Sequence, residues 1–161
     1  MKYSEIANKV ESLPKIPDGV ILFLARLSLA AIFWLSAQTK IEGLIINPVS
    51  GEFVFGWPSI KESTFYLFEY EYALPLISPV LATYLATFAE HILPILLIVG
   101  LASRVAALGL FVMTMTIQIF VYPDAYATHL TWATLALLIV SKGPGMFSLD
   151  HIVKWAKDEI I

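Results

Sequence analysis

The chain of 161 residues contains no cysteine, which excludes disulfides, iron–sulfur ligation and any CxxC redox mechanism. Charge is scarce too: Asp, Glu, Lys and Arg make up 14% of the sequence, where a soluble domain carries about 25%. Three histidines are too few for a haem–copper oxidase centre, and no Glu-x-x-His pair exists for a carboxylate-bridged di-iron bundle. Haem or metal cofactors are therefore not expected. No Gly-rich phosphate loop and no nucleophile elbow occur, and Ser36 and Ser141 have no base within plausible reach, so no catalytic residue is assigned. The net charge of −3, without a basic cluster, excludes nucleic acid as a partner.

Hydrophobic residues, by contrast, reach 58%. Four apolar stretches approach the roughly 20 residues that a bilayer-crossing helix needs: residues 20–38, 79–101, 104–122 and 125–141. They predict an all-α fold, a single integral membrane domain over residues 1–161 built as a four-transmembrane-helix bundle. The fourth stretch is the most dilute, with Thr128, His129 and Thr131 ahead of its strictly apolar run, but Pro123-Asp124 and Gly143-Pro144-Gly145 punctuate it at both ends. Glu5, Glu11 and Asp18 in the leader, and the length of the first apolar run, argue against a cleaved signal peptide. Lys2, Lys9, Lys15, Arg104, Lys142, Lys154 and Lys157 fall on one side of this arrangement, and only Lys40 and Lys61 on the other. That asymmetry predicts both termini in the cytoplasm.

Two segments outside the spans read as helices lying on the membrane. Residues 148–160 begin with Ser148 as a cap and place Leu149, Ile152, Val153, Trp155, Ala156 and Ile160 against Lys154, Lys157, Asp158 and Glu159. Tyr3, Ile6, Val10 and Leu13 form a shorter set ended by Pro14 and Pro17. The long outer connection, residues 41–78, carries Phe53, Phe55, Trp57, Phe65, Tyr66, Phe68, Tyr70 and Tyr72. Aromatics in that number favour the headgroup layer, and residues 59–72 read as a short helix capping the outer face.

Glu90 lies in the middle of the second stretch. A lipid-facing acid costs about 2.5–3.5 kcal/mol on insertion scales, so an intramembrane acid is by default a functional-site hypothesis. At about 1.5 Å per residue, Glu90 sits about 16 Å in from Pro79, while Gln118 and His129 both fall about 6 Å below the outer ends of their spans. Thr83, Thr87 and Glu90 share one helix face, as do Thr114 with Gln118 and His129 with Trp132. These stripes predict an outward-opening polar cavity with Glu90, Gln118, His129, Trp132, Thr87 and Lys40 as ligand-binding or proton-handling residues and Gln38 near its mouth. Simpler roles stand beside that reading. Thr and Gln serve as packing glue between membrane helices, His129 and Trp132 suit an interface, and Glu90 forms a structural ion pair with Arg26, which lies about 9 Å from the inner end of span one. His91 points about 100° away from Glu90 and reads as a helix-contact residue; neither it nor His129 has metal-ligand spacing with Glu90.

Residues 26–41 ahead of the long outer loop, Tyr70-EYALPLISP-Val80, the Ala-Glu and Gly-Leu-x-x-Arg pattern spanning Glu90 and Arg104, Gln118-IFVYPDAYATHLTW-Ala133 and the ending Gly143-Pro-Gly-x-x-Ser-Leu-Asp150 together resemble the DoxX family of small four-helix membrane proteins. Lys40, Glu90, Arg104, Gln118, His129, Trp132, Gly143, Gly145, Ser148 and Asp150 match its signature positions, whereas His91 is less typical. The resemblance implies an accessory subunit of a membrane redox or oxidative-stress system in a bacterial or archaeal plasma membrane, partnered by redox-complex subunits or by further copies of itself, and the polar cavity is read as a site for a quinone or a similarly polar aromatic small molecule. A proton-coupled solute transporter module and a pure scaffold are the alternatives.

Overall fold

Pro17 precedes the first helix and Asp18 opens it, a fixed φ followed by an acid at the positive end of the helix dipole. The computed structural model describes residues 15–160, and the expected N-terminal surface helix lies outside them. Helix α1, Asp18–Lys40, ends where its final carbonyl accepts from the Lys61 amide and the Thr64 hydroxyl. The outer connection holds two short antiparallel pairs: β1 (Ile41–Glu42) with β4 (Ser59–Ile60), and the hairpin of β2 (Ile45–Asn47) with β3 (Glu52–Val54). It then forms α2 (Glu62–Tyr66), continued by a π-helical turn at Leu67–Tyr72.

Helix α3, Pro79–Val99, starts on a Ser78 cap with proline at its first turn and stops at Gly100, whose φ of 73° is left-handed. Helix α4 is Ser103–Phe120, and a 3-10 turn at Pro123–Ala125 leads into α5, Tyr126–Lys142. The observed ends lie within a few residues of the four apolar stretches. Helix α6, Leu149–Ile160, is entered through the Ser148 hydroxyl, which accepts from the His151 amide at 3.1 Å.

The four long helices form an antiparallel ring in the order α1, α3, α4, α5, with α5 closing back on α1. Ala25, Ala30, Ala106, Ala107 and Ala136 fill its core together with Leu29, Phe33, Leu97, Leu110 and Ile139. Small residues let helix backbones approach closely in a membrane, where packing replaces the hydrophobic drive. Gly109 leaves room for Leu93 of α3 to pack onto α4, since a Cβ there would stand 2.9 Å from Leu93 Cδ1. Leu85, Phe88, Ile92, Val105, Val112 and Leu130 point outward and exposed. Three helices, α1, α3 and α4, are long and apolar enough to cross a membrane; α5, at 17 residues, is shorter.

Candidate site: an acid-floored cavity between two helices of the bundle

Above the Gly109 contact a cavity of about 470 Å³ separates α3 from α4. Ala82, Ala86 and Ala89 on α3 face Val112, Met113 and Thr116 on α4 across it; Phe33, His129 and Trp132 form its back wall, Glu90 lies at its floor, and Phe68, Tyr72 and Tyr122 roof it. Exposed Leu85 and Val112 stand at its edge, so it reaches the lipid-facing side between the two helices. The lining is mostly apolar with a few convergent polar groups, as small-molecule sites are.

Glu90 is buried, and the Lys40 ammonium lies 2.7 Å from its Oε2. This corrects the expected ion pair of Arg26 with Glu90. Arg26 sits on the first turns of α1, which run past the α3–α4 turn, so its guanidinium lies against Gly100, at the far end of α3. There it donates to the Phe147 carbonyl and stacks over Phe23 at 5.7 Å. Lys40, at the opposite end of α1, extends its stem inward to reach the acid, and its ammonium also donates to the Ser36 hydroxyl at 2.9 Å. Glu90 Oε2 is itself shut off from solvent, with the Lys40 ammonium as its neighbour.

His129 is fixed by a chain of local bonds. The Pro123 carbonyl accepts from Gln118 Nε2 at 2.7 Å, which turns Gln118 Oε1 toward His129 Nδ1, also at 2.7 Å. Because that oxygen can only accept, the hydrogen is on Nδ1 and the neutral ring keeps Nε2 as an acceptor. Trp132 packs edge-on against both His129, at 5.0 Å, and Phe33, at 5.6 Å.

The roof is tied down at its rim. The Tyr122 hydroxyl donates to the Glu71 carboxylate, and Tyr72 packs edge-on against Tyr122 at 5.8 Å. Glu71 pushes the Tyr122 phenol up, and burial does the same for Tyr72.

Of the six residues singled out in the sequence, Glu90, His129 and Trp132 line the cavity. Gln118 and Lys40 act one layer behind, on His129 and Glu90 respectively. Thr87 does not line it: its carbonyl accepts from His91 Nδ1 at 2.7 Å, and His91 packs on Trp34 and meets Gln38 Nε2 at 3.3 Å. Phe53, Phe55 and Trp57 are exposed on and beside the β2–β3 hairpin and do not line the cavity. Sequence reasoning missed Ser36 as a lining residue, whereas Phe68 and Tyr72 belong to the segment expected to cap the outer face. Phe68, only 3% exposed among exposed neighbours, is the residue that plugs the loop into the bundle.

Several long apolar helices around a buried ion pair define a helical membrane protein. The DoxX family model matches residues 21–123, and the chain belongs to the DoxX family. No curated protein and no solved structure matches it.

Proposed function

We propose that this chain is an accessory membrane subunit of a redox or oxidative-stress system whose outer cavity holds the head of a lipid-soluble quinone or quinol. One observation carries the reading: an apolar slot open toward the lipid side ends on two hydrogen-bond acceptors, the Glu90 carboxylate and His129 Nε2. A hydroquinone offers two hydroxyl donors on a flat ring, and Trp132 and Phe33 supply flat apolar walls. On oxidation the Glu90 carboxylate and His129 Nε2 each accept one of the two hydroxyl protons while the oxidoreductase partner takes the two electrons, and Lys40 holds Glu90 in place from behind. The protein transfers no electrons by itself on this reading and serves an oxidoreductase partner.

The same reading takes α5 as a fourth span and places both termini and the Arg104 turn in the cytoplasm, so the cavity opens at the outer leaflet. Extraction of the full chain purified in mild detergent, followed by chromatography of the organic phase, tests the proposal. A quinone recovered near one per chain from the wild type, and lost on Trp132→Ala, is expected. Recovery of none, or of equal amounts from both, returns the polar residues to packing.

A further inference from the structure

The opposite end of the bundle carries a second concavity, of about 530 Å³, unrelated to the first. Arg104 enters it from the start of α4, Lys142 and Gly143 from the end of α5, and His151 and Lys154 from one face of α6. Arg104 lies flat along Gly143, whose left-handed φ of 87° and missing Cβ make room for it; a Cβ there would stand 3.3 Å from Nη2. Among the described residues, the side chains of Arg104, Lys142, His151 and Lys154 make no ion pair and no hydrogen bond. Asp150 is the one carboxylate in the lining, and both of its oxygens are already engaged, accepting from the Ala102 and Ser103 amides at 2.8 and 2.9 Å. Three permanent cations therefore face one occupied acid.

We propose that this concavity binds the phosphate diester of an anionic phospholipid. Planar Arg104 supplies paired donors for phosphate oxygens, and the two lysines supply mobile charge. A lipid rather than a free ion fits because the lining includes two apolar side chains left in the open, Val105 at 70% and Met146 at 57% exposure. Beside them, α6 exposes Ile152, Val153 and Trp155. Basic pockets at the ends of membrane helices, flanked by an amphipathic helix, hold lipid headgroups in this way.

The full chain, reconstituted with equal phosphatidylglycerol and phosphatidylcholine and then stripped with detergent, reports the site through the lipid it retains. Preferential retention of phosphatidylglycerol is expected, falling about fivefold for each of Arg104→Gln, Lys142→Gln and Lys154→Gln. Lys157→Gln, on the same helix but outside the lining, keeps the wild-type preference, and millimolar inorganic phosphate does not displace the lipid. Lys154→Gln alters only an exposed side chain and gives the same reading if the other two variants fold poorly. No preference in the wild type, an equal loss in Lys157→Gln, or full displacement by inorganic phosphate would overturn the proposal.

Discussion

At the scale of single residues, the Lys40–Glu90 pair is the most consequential contact in the bundle, because both side chains are about 95% removed from solvent, at 5% and 6% exposure. Removing one member leaves a buried charge uncompensated, so Lys40→Met is expected to destabilise the fold by about 3–5 kcal/mol. The double variant Lys40→Met with Glu90→Leu should recover most of that, as a denaturation series in one detergent would register. At the roof, the phenol of Tyr122 is held protonated by its bond to Glu71. A folded pKa above the unfolded value near 10 means that this contact is intact below pH about 10 and fades only as the pH rises through the folded value. In an alkaline absorbance titration, a late-ionising phenol present in the wild type should be missing in Tyr122→Phe. Glu90 itself was legible in the sequence, since an acid amid hydrocarbon is conspicuous. Its partner was not: counting depth from the helix ends put Arg26 nearest, whereas the true pairing depends on how far α1 overshoots the α3–α4 turn and on the reach of a lysine stem.

At the scale of elements, the helix ends were read from the sequence to within a few residues because Pro17, Ser78, Gly100, Pro123 and Gly143 stand at or beside them. The links between elements distant in sequence were hidden. Asp150, from α6, caps the first turn of α4 across 48 and 47 residues, a contact that neither segment's local pattern encodes. Asp150→Ala is expected to cost about 0.5–2 kcal/mol, the usual worth of a helix cap, and to raise hydrogen exchange at the Ala102 and Ser103 amides specifically. The aromatic loop was similarly half-legible. Its richness in rings was plain, but its division into an exposed hairpin, where Ile46 pairs with Phe53, and a buried plug at Phe68 is a matter of tertiary packing that a count of rings does not encode.

At the scale of the whole molecule, the ring of antiparallel helices leaves one end sealed by Arg26 and the Gly143–Ser148 segment and the other end open as an apolar slot with acceptors at its base. In membrane orientation, single cysteines introduced at Ser50 and Lys157 of this cysteine-free chain should be labelled from outside the cell at Ser50 alone. Titration of a soluble hydroquinone analogue against the full chain in lipid nanodiscs tests the slot most directly. Wild type is expected to bind saturably, with His129→Ala weaker by about 1–3 kcal/mol, the cost of a lost acceptor and an unpaired neighbour. Gln118→Leu, which frees the ring to change tautomer, should fall between the two. Equal affinity in all three proteins, or binding by none, would contradict quinol binding there.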